Sequence, residues 1–145
     1  MTATTQINQA MALQKPLEDY IHFLERLNSR SLKLLGNLAA PGMRYVDPLR
    51  DVQGVDEVIR AFEERIQREG LMKIRITDTA FGRESEMVYI RWQRRSGDSD
   101  AHLVEGISEV LFSNDGRVLL HKDYYAPFEK AAAPKGLWAR LLKQA

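Results

Sequence analysis

The residues best suited to chemistry lie near position 120, where His121 and Asp123 follow a turn signal at 114–116. An imidazole and a carboxylate two residues apart on a β-strand share one face, with about 7 Å between their α-carbons. Both can therefore address one bound molecule, and such a pair suits general acid–base catalysis. Alternation places Leu119 and Tyr125 on the same face. This mixture predicts a pocket wall, because a buried charge without a partner is costly.

A further polar group is predicted on the preceding strand. If residues 115–116 form a two-residue turn, His121 faces Val110 and Asp123 faces Ser108. Ser108 is then placed to orient the Asp123 carboxylate. A slip of one residue would move the whole set to the outer face. The alternative is that His121 and Asp123 are structural groups with satisfied hydrogen bonds at the mouth of a barrel.

Three helices are predicted before this strand. One begins at Pro16, a shorter one follows the capping residue Ser29, and the third lies between Gly54 and Gly70. Apolar residues at helical spacing form a stripe on each helix. The stripes are Leu17, Tyr20, Ile21, Leu24 and Leu27; Leu32, Leu35 and Leu38; and Val55, Val58, Ile59, Phe62 and Ile66.

The strands follow the helices, because the apolar period changes from 3.6 to 2 at Leu71. Four strands joined by polar turns predict an antiparallel meander. Their ranges are 71–81, 87–95, 102–112 and 117–125. A short strand at 43–46 precedes the third helix and ends at Asp47-Pro48. Helices first and strands afterwards indicate an α+β domain with the helices on one face of a curved antiparallel sheet.

Composition limits the domain number and the partners. A chain of 145 residues with 44% hydrophobic content fits one compact domain. We predict a mobile arm at 1–14, a single domain at 15–130 and an amphipathic tail helix at 131–145. With 21 basic and 20 acidic side chains, the net charge is +1, which disfavours nucleic acid as a partner. The absence of cysteine excludes disulfides and thiolate metal sites.

No segment resembles a signal peptide or a membrane span, so we expect a cytoplasmic protein that does not bind membranes. His102 and His121 lie eight residues apart in cross-strand register, about 26 Å at the rise of a strand. They cannot share an ion, and we predict neither a metal nor a cofactor. Trp92 is predicted to pack in the core or a dimer interface, and alternation divides the nearby Arg91 and Arg94 between faces.

Several short segments between Met43 and Tyr125 together resemble a known superfamily. In chain order they are Tyr45-Val46-Asp47-Pro48, Gly54-Val55-Asp56, Tyr89-Ile90-Arg91-Trp92, Gly106-Ile107-Ser108 and the run 115–125. Their order and spacing are similar to the nuclear transport factor 2-like superfamily, particularly its SnoaL-like branch. The resemblance implies a cone-shaped α+β barrel in which a curved sheet wraps around helices. It also implies a pocket at the open end and a homodimer formed through the outer sheet surface.

The superfamily hosts several activities, so each known site is compared separately. In the steroid isomerases, Asp47 matches the base, while Phe23 and Ser108 replace the Tyr and Asp oxyanion donors. In the limonene epoxide hydrolases, the last strand resembles the segment around Asp123. Their Arg-x-Asp segment corresponds to Arg91 and Gln93, and an amide cannot exchange protons as a carboxylate does. SnoaL-type cyclases resemble the chain in relying on an Asp and a His.

The sequence therefore predicts a small-molecule-binding protein whose ligand is mostly apolar or carries a carbonyl group. If it is an enzyme, it is a cofactor-independent isomerase, cyclase or hydrolase with Asp123 and His121 as its acid–base pair. The predicted substrate-binding residues are Arg91, Gln93, Ser108, Tyr89, Tyr125, Asp47 and Phe23. Two other classes stay open: a non-catalytic ligand carrier, and a protein-interaction module that uses the sheet exterior and the tail at 131–145.

Overall fold

The computed structural model describes residues 2–96 and 103–126. The helical elements are α1 (Ala3–Glu25), a 3₁₀ turn (Leu32–Leu34), α2 (Leu35–Leu38) and α3 (Val55–Glu69). The strands are β1 (Ala39–Asp47), β2 (Arg50–Gln53), β3 (Met72–Phe81), β4 (Val88–Ser96), β5 (Leu103–Phe112) and β6 (Val118–Tyr124). The predicted tail helix at 131–145 and His102 lie outside the described residues.

The strands form one curved sheet with the order β2-β1-β6-β5-β4-β3. The predicted α+β class and the antiparallel meander from β3 to β6 are confirmed. The sheet is mixed and open, because β1 pairs parallel to β6 and β2 forms an additional edge strand that was not predicted. The parallel pairing sets Tyr45 beside His121.

Helix α3 matches the prediction at both ends. It runs from Val55 to Glu69 between two glycines with positive φ, 96° at Gly54 and 77° at Gly70. Its buried face packs on β1 and includes one charged residue, Arg65. A basic side chain on an otherwise apolar stripe needs a buried partner.

Helix α1 begins at Ala3 and not at Pro16, so the stretch predicted as a mobile arm is helical. The Thr2 hydroxyl accepts the amide proton of Thr5 and caps the new start. Residues 3–13 are rich in Ala, Gln, Met and Leu, which form helices readily. The buried part of α1 starts at Leu17, as the apolar stripe indicated.

The turn before β6 differs from the prediction, yet the register is the predicted one. The Ser113 amide donates to the Arg117 carbonyl over 2.7 Å, which leaves three residues in the loop. Strand β6 then carries an extra residue, because Phe112 pairs with Val118 while Leu111 pairs with Leu120. This bulge compensates for the longer turn. His121 therefore faces Val110, and Asp123 faces Ser108, as predicted.

The same bulge changes the inner face near its start. Val118 is fully buried, whereas Leu119 is 38% exposed. The prediction that Leu119 shares the face of His121 is therefore wrong. The core lies between the helices and this inner face. None of the helices in the described part of the chain combines the length and apolarity needed to span a membrane.

Candidate active site

The Asp123 carboxylate is the centre of a buried hydrogen-bond network on the inner face of the sheet. Its donors come from three neighbouring strands: the Ser108 hydroxyl at 2.5 Å, His121 Nε2 at 2.6 Å and the Tyr45 hydroxyl at 2.8 Å. Burial opposes ionisation, but His121, the Arg65 charge and the Ser108 hydrogen bond outweigh it and hold the pKa of Asp123 well below its ordinary value. Asp123 is therefore a stable carboxylate.

His121 is held at both ring nitrogens. Its Nε2 contacts Asp123, and its Nδ1 lies 2.6 Å from the hydroxyl of Tyr20, a fully buried residue of α1. Burial and the nearby Asp123 charge raise the pKa of Tyr20, so the phenol stays protonated. Nε2 therefore donates to the Asp123 carboxylate, whereas the Tyr20 hydroxyl can donate to Nδ1 or accept from it, depending on whether that nitrogen carries a proton. Tyr20, His121 and Asp123 thus form a continuous chain of hydrogen bonds.

A second carboxylate, Asp47, lies behind this chain. The single hydroxyl proton of Tyr45 can point to Asp123 or to Asp47 Oδ2, which is 3.1 Å away. Arg65 donates to both the Tyr45 oxygen and the Asp47 carboxylate. The other Asp47 oxygen accepts the Leu49 amide at 2.8 Å, which caps the turn between β1 and β2. Both carboxylate oxygens of Asp47 therefore have structural partners: one pairs with Arg65, and the other caps the turn.

Trp92, on the neighbouring strand β4, is the second hydrogen-bond partner of the Ser108 hydroxyl. Its indole N–H donates to the Ser108 hydroxyl over 2.8 Å, and that hydroxyl donates to Asp123. Gly106 pairs with Trp92 across β4 and β5. A methyl group at Gly106 would overlap the indole ring. The absence of a side chain at Gly106 is what lets the indole lie on β5 and reach Ser108.

A cavity of about 30 Å³ adjoins this network. Its apolar wall comes from α1, the turn that follows α1, α3 and β3, and consists of Leu24, Leu27, Phe62, Ile74 and Ile76. Its other wall contains His121, Asp123, Ser108, Trp92, Arg65 and Arg94. The volume is enough for one or two water molecules. A larger ligand enters only if wall side chains move.

Three predicted residues, His121, Asp123 and Ser108, meet in this wall. Two other residues predicted to bind substrate, Tyr125 and Phe23, lie beside this wall. Tyr125 packs against Trp92 with ring centroids 5.6 Å apart, and Phe23 stacks on Tyr20 at 6.0 Å. In the described ranges, no three His, Asp or Glu side chains are grouped as metal ligands.

Tyr89, Arg91 and Gln93 lie on the outer face of β4, which corrects their predicted place in the pocket. Val88, Ile90, Trp92 and Arg94 alternate with them and are buried. The larger apolar set of a strand takes the inner face, and the alternate residues must then face outward.

Sequence reasoning did not assign Tyr20, Tyr45, Arg65 and Arg94 to the site. The sequence placed Tyr20 on the apolar stripe of a helix and Tyr45 on a short strand, and it did not predict the parallel pairing that brings Tyr45 to Asp123. Arg65 carried a usable signal, since it occupies the apolar stripe of α3 three residues after Phe62.

A family model described as a SnoaL-like domain matches residues 20–121. No curated protein matches the chain. Among solved structures, a putative isomerase of the SnoaL-like family from Agrobacterium tumefaciens is similar, with a TM-score of 0.66 and 20% identity over 80% of this chain and 98% of that chain. An NTF2-like protein of unknown function from Exiguobacterium has a TM-score of 0.65 and 14% identity over 78% and 99%.

A steroid delta-isomerase from Pseudomonas aeruginosa is also similar, with a TM-score of 0.63 and 17% identity over 92% of this chain and 93% of that chain. At these identities the similarity concerns the fold alone. The argument for a function therefore depends on the residues of the cavity wall.

Proposed function

The chain belongs to the SnoaL-like family. From that premise we propose that it binds a small, largely apolar molecule and moves a proton from one atom of that molecule to another, as an isomerase or cyclase. One observation carries the proposal: His121 and Asp123 are in contact at 2.6 Å in the wall of a cavity that is otherwise mainly apolar. An apolar wall binds the body of a ligand, while converging polar groups orient its reacting part.

The two residues have different roles in this proposal. Asp123 takes up a proton only at low pH, because its pKa is held far below the ordinary value. It is a poor general base near neutrality. His121 is the proton carrier. Asp123 holds the ring at Nε2 until a ligand binds, and its nearby negative charge stabilises the charged form of the ring.

Proton transfer to a ligand requires one His121 contact to open. Tyr20 is fully buried, whereas His121 and Asp123 both line the cavity. The ligand therefore displaces Asp123 from Nε2, while Nδ1–H donates to Tyr20. The charged ring can then give its Nε2 proton to a carbonyl oxygen of the ligand, and the neutral ring that remains can take a proton at Nε2 from an acidic C–H group. A carbonyl or an acidic C–H group on the ligand is the kind of partner that this exchange needs.

The alternative is a non-catalytic carrier, and a specific observation favours it. Asp123 accepts from three donors, and both His121 nitrogens have partners. Such a closed network also describes a structural feature of a binding pocket.

A thermal-shift screen followed by a turnover assay separates the two functions. The screen uses ketones, epoxides and steroids, since a ligand of the native state raises its melting temperature. With a ligand in hand, His121→Gln is expected to keep binding and to lower turnover by roughly 10²- to 10⁴-fold. His22→Gln, on the exposed side of α1, is the matched control. Wild-type turnover in His121→Gln contradicts proton transfer by His121, and binding without turnover in every variant supports the carrier.

We also propose that a second copy of the chain covers the outer face of the sheet. Tyr89, Ile107 and Tyr124 are 36%, 47% and 45% exposed there. Acidic Glu105 and basic Arg91 lie on the same face, so a two-fold related copy can match charges. Light scattering is expected to give a dimer for wild type and a monomer for Ile107→Lys. A monomeric wild type contradicts the proposal.

The cytoplasmic location stays a prediction.

A further inference from the structure

Arg94 is a buried cation in the cavity wall that the proposed proton transfer does not use. It lies on the inner face of β4 and is 4% exposed. Its guanidinium sits over two aromatic rings, 5.5 Å from the centroid of Trp92 and 4.9 Å from that of Tyr125. The rings fix the plane of the guanidinium and attract its charge. They do not satisfy its N–H donors in the plane.

The hydrogen-bond donors of Arg94 are poorly matched within the described residues. Its Nε is buried and has no hydrogen-bond partner there. The ion-pair partner is Glu69, whose oxygen is 3.7 Å from a terminal nitrogen, beyond hydrogen-bond distance. Glu69 is also 26% exposed and so remains partly hydrated. A guanidinium has five N–H donors, and burying them without acceptors is unfavourable.

Arg65, the other arginine of the cavity wall, shows the contrast. Its terminal nitrogen donates to Tyr45 and to the buried Asp47 carboxylate. Like Arg94, Arg65 has a buried Nε without a hydrogen-bond partner among the described residues. The Arg65 charge lies against a buried carboxylate, however, whereas the carboxylate paired with Arg94 is partly exposed and 3.7 Å away. An added anion gains more at Arg94 than at Arg65, because Arg65 would have to share an existing partner.

The surroundings of Arg94 select the kind of anion. The wall formed by Leu24, Leu27, Phe62, Ile74 and Ile76 is apolar. The Trp92 indole contacts Arg94 and bonds to Ser108, so it separates the cationic end of the cavity from Asp123. A planar anion can pair with a guanidinium through two parallel hydrogen bonds. A dianion would bring a second charge into a cavity that already holds a carboxylate.

We infer that the ligand is a small carboxylic acid that enters as wall side chains move, with its carboxylate paired to Arg94, its apolar body on the aliphatic wall and its reacting group towards His121. This inference rests on the proposed function, because it names the class of ligand for the same cavity. Arg94 is then a binding residue that fixes the orientation of the ligand. The proton moved by His121 belongs to a carbon or oxygen at the opposite end of the ligand.

The test compares acids with neutral molecules of the same shape. Isobutyrate and benzoate are paired with isobutyramide and benzamide, and binding is followed by NMR, including the Arg94 Nε–H signal. Wild type is expected to prefer each acid roughly ten- to hundredfold, as hydrogen bonds to charged groups predict. Arg94→Met is expected to lose this preference while still binding the amides. Arg75→Met, on the outer face of the neighbouring strand β3, is expected to retain the preference.

The outcomes distinguish this inference from the function on which it rests. Equal binding of acids and amides by wild type overturns the carboxylate class while the pocket function stands. An acid preference that survives in Arg94→Met also overturns the carboxylate class. Binding of inorganic phosphate without binding of either carboxylate overturns it as well. If no probe binds, the carboxylate class is overturned, and the screen of ketones, epoxides and steroids then decides the pocket function separately. Should Arg94→Met not fold, Arg94→Lys keeps the charge without the planar fork and is expected to weaken the preference.

Discussion

The two faces of strands β4 to β6 use similar side chains in opposite ways. On the outer face, Gln93 and Glu105 form an exposed hydrogen bond of 2.8 Å. On the inner face, Asp123 and Arg94 are less than a tenth exposed and lie beside the cavity. Exposed polar pairs contribute little, since water competes for the same groups. Burying the inner charges is unfavourable unless each has a partner. An inner charge is therefore either paired within the fold, as Asp123 is, or available to pair with a ligand, as we propose for Arg94.

The largest expected effect comes from removing the carboxylate at the centre of the inner network. Asp123→Ala leaves the hydroxyls of Ser108 and Tyr45 and one His121 nitrogen without their acceptor. We expect the free energy of unfolding to fall by about 3–5 kcal/mol, as when one partner of a buried pair is removed. Urea unfolding measures the loss.

Glu105→Ala is the matched control, because it removes an exposed carboxylate from the outer face. It is expected to change stability by less than about 0.5 kcal/mol. Similar losses in the two variants would contradict the difference between the faces.

The pH dependence of stability gives the second test. The folded-state pKa of Asp123 lies well below the ordinary value, so the unfolded chain takes up a proton first as the pH falls. Its contribution to stability is complete above about pH 4 and decreases below that, at a rate of at most about 1.4 kcal/mol per pH unit. Asp123→Asn is expected to reduce this acid slope. Parallel curves of unfolding free energy against pH for the two proteins would show that Asp123 does not ionise as proposed.

The smallest of these effects concerns a single methyl group. Gly106→Ala overlaps the Trp92 indole and forces it away from Ser108, at a cost of about 1–3 kcal/mol. Gly42→Ala, in β1, meets no atom within 4 Å and is expected to be neutral within about 0.5 kcal/mol. Thermal unfolding of both variants, with Trp fluorescence as a second signal, measures the difference. Equal stability of the two would mean that the indole has another position available.

The register of β6 shows how a prediction can succeed although one of its premises fails. The two-residue turn was wrong, but the bulge at Leu119 restored the pairing of Asp123 with Ser108. Both arrangements place the polar face of β6 inward. The buried network favours that choice, because a slip of one residue would bring Lys122 to the inner face and take the Asp123 carboxylate away from Ser108 and Tyr45.

The opposite outcome occurred on β4. Alternation correctly grouped Tyr89, Arg91 and Gln93, yet it does not say which group faces inward. The indole of Trp92 and the apolar Val88 and Ile90 took the inner face and brought Arg94 with them. A basic residue thus entered the core side of the sheet because of its neighbours in the strand.

By itself, the sequence determined the α+β order, the bounds of α3 and the placing of His121, Asp123 and Ser108 on one face, since periodicity and turn residues act locally. Only the tertiary structure decided that Tyr20, Tyr45 and Arg65 complete the network. These residues come from three separate elements, α1, β1 and α3, which meet only after packing. Whether a buried charge is satisfied depends on such distant partners, and no local pattern contains that information.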